Sequence, residues 1–312
     1  MAAEGKTQYS PVEPFSGAGV GDGSALGAIE ASNVAVTRSE SIGAPVRRVQ
    51  IGAATLFLGD RIDIMAALQP VDAVITDPPY ASGGMYRGDR TASPADKYIH
   101  SGTKRDWRTF ANEAKDQRSW MSWCERWLKA LPVRDGTYVC SFIDWRQLPA
   151  LSDAYQWAGL MWRGIVSWDK GLGSRAPHKG YFRHQCEYLV WGTAGKCAAA
   201  EHAGPYPGSF TVPVLQADKH HMTGKPTALM RELVKIVPPG GIIFDPFMGS
   251  GTTGVGAVLE GRRFIGIEID RGHFDTACRR IAQAQGLQWP PASIDPRDAY
   301  EQTDQLARRL EG

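Results

Sequence analysis

Val71-Asp72-Ala73-Val74-Ile75-Thr76 runs into Asp77-Pro78-Pro79-Tyr80, and the rest of the chain can be read outward from these ten residues. The apolar run reads as a buried strand. It delivers a carboxylate, two rigid residues and an aromatic ring onto the loop at its C-terminal end, where open α/β sheets bind ligands. Two consecutive prolines fix φ twice and remove two amide donors, so the loop is stiff and its carbonyls lack regular partners. An aromatic ring beside a carboxylate and free carbonyls suits a planar group bearing N–H donors, because the ring stacks on its face while the oxygens accept its hydrogens. A nucleobase with an exocyclic amino group fits. Asp and Pro are also ordinary turn residues, so a plain strand-ending turn stays open until a second motif is found.

The chain as a whole sets the bounds. Its 312 residues suffice for one large α/β domain with insertions, or for two small ones. With 43% hydrophobic and 22% charged residues it has the composition of a soluble globular protein, and no apolar run approaches the roughly 18 residues of a membrane span. Cysteines 124, 140, 186, 197 and 278 form no C-x-x-C pair, so neither a zinc site nor a disulfide framework is indicated, and a reducing cytoplasm is the expected location. The net charge of +2 is too small to identify a nucleic-acid partner by itself. Residues 1–46 are rich in Gly, Ala, Ser, Pro and Glu, and they read as a disordered N-terminal arm. Acids scattered among them, with no apolar core segment, argue against a targeting peptide.

Folded sequence is expected over 47–285. Ala54 to Leu58 reads as a strand ending at Gly59-Asp60, and Ile62, Met65, Ala66 and Leu68 give an apolar stripe at helical spacing. Residues 81–116 are polar and glycine-rich, with Arg87 and Arg90 among basic and aromatic residues, a mixture that suits either a flap contacting nucleic acid or a solvated loop. Trp120, Trp123, Cys124, Trp127 and Leu128 form a helical stripe more typical of core than of a binding platform. Strands are expected at Thr137–Ile143, Trp162–Trp168 and Glu187–Trp191, with a helix over Leu148–Gly159. Between Arg163 and Arg183 stand five Lys or Arg residues, including Lys170, Arg175 and Lys179, against the single acid Asp169. Local positive charge on the loop 169–184 points to nucleic acid more directly than the net charge does. A further loop spans 192–219.

The second motif begins where Thr223-Gly224-Lys225-Pro226 opens a helix. Ile242-Ile243-Phe244 then leads as a strand into Asp245-Pro246-Phe247-Met248-Gly249-Ser250-Gly251-Thr252-Thr253, followed by a helix. Strand, glycine loop, helix lets bare backbone approach a ligand closely, because glycine has no Cβ to block it. The loop is not a Walker motif, since no lysine follows its last glycine, and it lacks the full dinucleotide spacing. One strand later Phe264-Ile265-Gly266-Ile267-Glu268 places an acid at a strand end, where it can accept from ribose hydroxyls. Together these features describe a nucleoside pocket without a pyrophosphate.

In this order the motifs resemble the β group of amino-methylating DNA methyltransferases, which act on adenine N6 or cytosine N4, and the stretch from Asp77 to Glu187 resembles phage and prophage members. The resemblance covers about Thr55 to Ile281. It implies a doubly wound, mostly parallel seven-stranded sheet, circularly permuted, and S-adenosylmethionine as cofactor. On the matching positions it implies that Asp245, Phe247, Gly249, Ser250, Gly251 and Thr252 surround the methionine part of the cofactor. Glu268 would hold its ribose, Asp60 its adenine, and Lys225 and Pro226 the cofactor-side helix start. Asp77, Pro78, Pro79 and Tyr80 would be catalytic, with Asp77 and the Pro78 carbonyl accepting amino hydrogens and Tyr80 stacking on a flipped base. Asp at position 77 favours adenine by family habit. Met222-Thr223-Gly224 departs from the Pro-Thr-Gln or Pro-Thr-Glu of many relatives.

The expected partner is double-stranded DNA, contacted by Arg87, Arg90, Lys170, Arg175, Lys179 and Arg183. The chain is expected to act as a monomer or homodimer, with a partner restriction endonuclease left open. An N4-cytosine methyltransferase, an RNA or protein-amide methyltransferase and a non-catalytic DNA-binding module are the alternatives. Adjacent His220 and His221 have no further ligand at metal spacing, so no metal is expected. The tail 286–312 is expected to hold at most a short helix.

Overall fold

A computed structural model of the protein describes residues 46–80, 115–172, 179–197, 204–213 and 224–290, together with the backbone of 34–39. Ten strands form one sheet: β1 (Val34–Ser39), β2 (Val46–Ile51), β3 (Ala54–Leu58), β4 (Ala73–Thr76), β5 (Tyr138–Ile143), β6 (Met161–Asp169), β7 (Cys186–Thr193), β8 (Ser209–Thr211), β9 (Ile242–Asp245) and β10 (Arg263–Glu268). Their order across the sheet is β1-β2-β3-β10-β9-β4-β5-β7-β6-β8.

The expected seven-stranded sheet is the middle of this one, from β3 to β6. Strands β3, β10, β9, β4 and β5 pair parallel, while β7 runs antiparallel to both of its neighbours. Three strands enlarge it. The antiparallel pair β1 and β2 extends one edge, and β8 pairs parallel with β6 at the other. Strand β1 corrects the reading of residues 1–46 as an unstructured arm, because backbone ladder bonds to β2 engage Val34–Ser39. Strand β8 likewise falls inside the expected loop 192–219.

Helices cover both faces. On one lie α1 (Arg61–Met65), α2 (Gln117–Lys129) and α3 (Leu148–Trp157), packed around Val74, Val139, Trp120, Trp127 and Leu151. On the other lie α4 (Thr227–Leu233), α5 (Thr252–Leu259) and α6 (Arg271–Ala284), packed around Ala73, Ile75, Leu229, Val255 and Phe274. Successive residues of a strand point to opposite faces, so Val74 and Ile75 feed different cores. All four residues of β4 and all six of β5 are buried, which is why both read as continuous apolar runs.

This topology places the motifs. Strand β4 lies between β9 and β5, with Ala73 in register with both Ile243 and Tyr138. The chain winds from β9 toward β10 and from β4 toward β5, in opposite directions. The crevice at such a switch point, outside the C-terminal strand ends, is where open sheets bind ligands. The loop after β4 and the glycine-rich loop after β9 therefore face one another although far apart in sequence.

Candidate active site

Four contacts fix the loop after β4. Trp120 of α2, fully buried, donates its indole N–H to the Pro79 carbonyl at 2.7 Å, and Thr76 Oγ1 donates to Asp245 Oδ1 at 2.6 Å. The Tyr80 hydroxyl donates to Asp77 Oδ1, and Lys225 Nζ lies 2.6 Å from Asp77 Oδ2. Lys225 is only 6% exposed and has a second carboxylate, Glu187 Oε2, at 3.3 Å. Lys170 Nζ then meets Glu187 Oε1 at 2.9 Å. Burial pushes the Asp77 carboxyl up, and Lys225 draws it back only in part. Burial opposes the charge on Lys225, but Asp77 and Glu187 together hold its pKa above the ordinary value. Burial, followed by the charge of Asp77, lifts the Tyr80 phenol well above its usual range.

The glycine loop is braced from three sides. Gly251 caps the N-terminus of α5 in the left-handed region at φ 79°, and a Cβ there would stand 2.8 Å from the Ala277 Cβ. Gly249, at φ 52°, opens onto free space, and its N–H donates to Glu268 Oε2 at 2.9 Å. Glu268 Oε1 accepts from Ile269 N at 2.9 Å and Asp270 N at 2.8 Å. A carboxylate offers about four acceptor sites, so these three bonds leave about one for a ligand. Burial raises Glu268 to about 7. Asp245 accepts from Thr76, from Phe247 N at 3.0 Å and from Thr253 Oγ1 at 2.7 Å, and burial raises it to about 6. Its bonds tie β4, β9 and α5 together.

These loops enclose a cavity of about 430 Å³. Asp77, Pro78, Pro79 and Tyr80 line one end, with Lys225 beside them. Asp60, Asp245, Phe247, Gly249, Ser250, Thr252 and Glu268 line the remainder. Pro226 and Gly251 stand behind the wall, as the N-caps of α4 and α5. Asp60 caps α1 by accepting from Ile62 N at 2.8 Å.

Three residues of this region have no motif to announce them. The Arg61 guanidinium lies 4.6 Å from the centroid of Phe247 and 5.1 Å from that of Trp123, and all three line the cavity. Arg280 of α6 donates to Ser250 O at 2.8 Å and to the Ser250 and Thr252 hydroxyls at 3.1 and 2.9 Å. Glu187 anchors Lys225. The tryptophan stripe is core at Trp120 and Trp127, as its spacing suggests, but Trp123 is half-buried on the cavity wall.

The residues expected on DNA divide. Lys170 has its ammonium on Glu187 and its side chain 20% exposed, so its charge is used within the fold. Lys179 and Arg183 are exposed on the loop between β6 and β7, together with Tyr181 and Phe182. Beside them His184 stacks on Trp145, with ring centroids 5.6 Å apart. This loop leaves the same sheet edge as the cavity. Arg87, Arg90 and Arg175 lie outside the described residues, as do His220 and His221.

A family described as DNA methylase, whose members are named for adenine N6 and cytosine N4, matches residues 71–203 and 208–279, well over half of the chain. The chain belongs to the DNA methylase family. It is an amino-methyltransferase acting on DNA. This methylase is 29% identical to YubD of Escherichia coli (strain K12) over 242 residues, 76% of this chain and 94% of the relative. It is 26% identical to Type II methyltransferase M2.DpnII of Streptococcus pneumoniae over 249 residues, 72% and 88% of the two chains. Its fold is similar to that of M1.HpyAVI in complex with SAM, with a TM-score of 0.53 and 24% identity over 73% of this chain and 98% of that one. It is also similar to the cytosine-N4-specific PvuII DNA methyltransferase, with a TM-score of 0.55 and 15% identity over 83% and 93%. Among the described residues of the methylase, no helix is long and apolar enough to cross a membrane.

Proposed function

We propose that this methylase transfers a methyl group from S-adenosylmethionine to N6 of adenine in duplex DNA, after the base has flipped out of the stack. The observation that carries this reading is the meeting of Asp77 and Glu268 in one cavity, at the ends of β4 and β10 on either side of β9. The wall suits a nucleoside joined to a cationic amino acid. Phe247, Trp123 and Ile267 offer apolar surface, Asp60 and Glu268 offer acceptors at strand ends, and Gly249 leaves room for close approach. Glu268 would take a ribose hydroxyl and Asp60 the adenine edge, with the loop from Phe247 to Thr252 around the methionine part.

S-adenosylmethionine supplies an electrophilic methyl group on a positively charged sulfur. An exocyclic amine is a weak nucleophile, because its lone pair is delocalised into the ring. Asp77 and the Pro78 carbonyl each accept one amino hydrogen, which favours a pyramidal nitrogen with its lone pair aimed at the methyl carbon. Because the Trp120 indole holds the Pro79 carbonyl, the turn that presents Pro78 is fixed. Tyr80 stacks on the base once its hydroxyl leaves Asp77. As the N–C bond forms and the C–S bond breaks, one proton leaves the nitrogen for Asp77 or water. Holding the reacting atoms about 3–3.5 Å apart supplies much of the rate. Flipping costs a few kcal/mol of stacking. Phosphates are met by Lys179 and Arg183, with Arg87, Arg90 and Arg175 as further candidates.

The aspartate at position 77 is the feature that favours adenine over cytosine. Modification-sensitive sequencing of DNA from cells that express the chain tests this, since it reports base and recognition site together. N6-methyladenine at one short motif is the expected result, and N4-methylcytosine would overturn the choice of base.

A further inference from the structure

Glu187 is the second residue of β7, behind Lys225 as seen from the cavity, and it does not line the cavity wall. Its side chain is 21% exposed, and it is engaged by two ammonium groups, Lys170 at 2.9 Å and Lys225 at 3.3 Å. Lys225 in turn lies 2.6 Å from Asp77. Lys170, Glu187, Lys225 and Asp77 thus form a row of alternating charges that runs from the base of the β6–β7 loop to the end of β4. Removing a charge from water is costly unless a partner compensates it, and each oxygen of Glu187 faces a lysine ammonium of the row.

We propose that Glu187 is a positioning residue for methyl transfer: by holding Lys225 from behind, it divides that ammonium between two carboxylates and leaves Asp77 able to accept the hydrogens of the target amine. This rests on the reading of Asp77 as that acceptor. Lys225 already sits 2.6 Å from Oδ2, and with Asp77 as its only carboxylate partner it would give that group its whole charge and resist release when the amine arrives. Glu187 pulls in the opposite direction, and it shares its other oxygen with Lys170. Burial works against the charge on Glu187, but the two lysines hold its pKa below the ordinary value.

Among the described residues, the titratable and charged groups bearing on Asp77 are Tyr80 on its own loop, Lys225 before α4, Glu187 on β7 and Asp245 at the end of β9. Asp144 after β5 acts on Tyr80. Removing the negative charge of Glu187 lowers the pKa of Asp77 and leaves Asp77 with the whole of the Lys225 charge. Removing the positive charge of Lys170 strengthens the hold of Glu187 on Lys225 and raises the pKa of Asp77. The two changes move the acidic limb of activity in opposite directions, as their charges dictate, and the fall of kcat on its plateau above that limb in E187Q, at unchanged KM, is the part that a merely structural role would not give.

The experiment measures methyl transfer to duplex DNA by the purified full chain as a function of pH, for wild type, E187Q, E187D and K170M. For E187Q, kcat is expected to fall ~10-fold or more, as misplacement of a reacting group does. Its KM values for DNA and S-adenosylmethionine should stay within about twofold, since uniform binding is untouched. Its acidic limb should move about half a pH unit lower, and that of K170M should move higher. E187D should recover part of kcat. Unchanged kcat and limb in E187Q, a raised KM at unchanged kcat, or limbs of E187Q and K170M moving together would each overturn the inference. If E187Q does not fold, the K170M limb decides alone. A wild-type chain that methylates no duplex overturns the proposed function first; an active wild type with an indifferent E187Q overturns only this inference.

Discussion

Lys225 and Asp77 are 148 residues apart in the chain, yet Nζ of one lies 2.6 Å from Oδ2 of the other. Strand β4 and the loop before α4 each deliver half of this pair to the same end of the sheet. The ammonium also lies 5.2 Å from the Tyr80 ring centroid and 5.0 Å from that of Phe142, so aromatic faces complete its surroundings. The acceptor proposed for the amine is therefore held ready inside the protein, and binding of a base must loosen its contacts with Tyr80 or Lys225.

Removing that cation leaves two buried carboxylates facing each other. Lys225→Met is expected to destabilise the fold by about 3–5 kcal/mol, the usual cost of stripping one partner from a buried ion pair. Urea unfolding measures it. A loss below about 1 kcal/mol, typical of exposed pairs, would mean that water already screens the site.

Trp120→Phe keeps an aromatic ring in the core but removes the donor to the Pro79 carbonyl. Leaving a buried acceptor without a partner costs about 1–3 kcal/mol. Because the contact is to the loop after β4 and not to the glycine loop, kcat should fall while cofactor affinity measured by calorimetry stays unchanged. A weakened cofactor with normal kcat would place the effect on the wrong loop.

Gly249 and Gly251 should respond differently to alanine. Each carries positive φ, so each substitution costs about 1–2 kcal/mol of backbone energy. At Gly251 the new methyl also meets Ala277, which adds about 1–3 kcal/mol of overpacking. At Gly249 it enters the cavity, so the larger effect there is lost cofactor affinity. Thermal melts and cofactor titrations of Gly249→Ala and Gly251→Ala separate the two, and a reversed pattern would contradict the assignment of the wall.

Asp245 and Glu268 set a pH dependence of stability. Burial raises them to about 6 and about 7, above their unfolded values, so the folded state binds protons more readily than the unfolded chain. Their contribution to stability is fully present below the unfolded carboxylate range and is lost as pH rises through about 6 and then about 7. The Tm of the unliganded protein should therefore rise as pH is lowered from 8 toward about 5.5, an increment of a few degrees. Cofactor affinity should run the other way, since ionised Glu268 is the better acceptor for a hydroxyl. A Tm that falls steadily over this range would refute the sign.

Much of the site is legible in the sequence because its two loops follow short apolar strands and carry dense local signals. Asp77-Pro78-Pro79-Tyr80 and Asp245 to Thr253 each announce a strand end, and parallel winding brings such ends to one edge. Arg280 gives no such sign. It sits beside the exposed Arg279, and only the packing of α6 aims it at Ser250. Glu187 reads as an ordinary strand residue, and its role depends on lysines 17 residues upstream and 38 downstream, at Lys170 and Lys225. Strands β1 and β8 escape for a related reason. Val34–Ser39 follows a glycine- and alanine-rich run, and Ser209–Thr211 is three residues long among prolines and glycines, so both owe their extension to a neighbouring strand.

The central claim is that Asp77 accepts the hydrogens of an adenine amino group in this cavity. Nucleoside analysis by mass spectrometry, after incubation of random-sequence duplex DNA with S-adenosylmethionine and either wild-type protein or Asp77→Asn, tests it most directly. N6-methyladenine is expected from wild type, with a loss of about 10²–10⁴-fold in Asp77→Asn and retained cofactor binding in that variant. N4-methylcytosine from wild type, or N6-methyladenine formed equally well by Asp77→Asn, would contradict it.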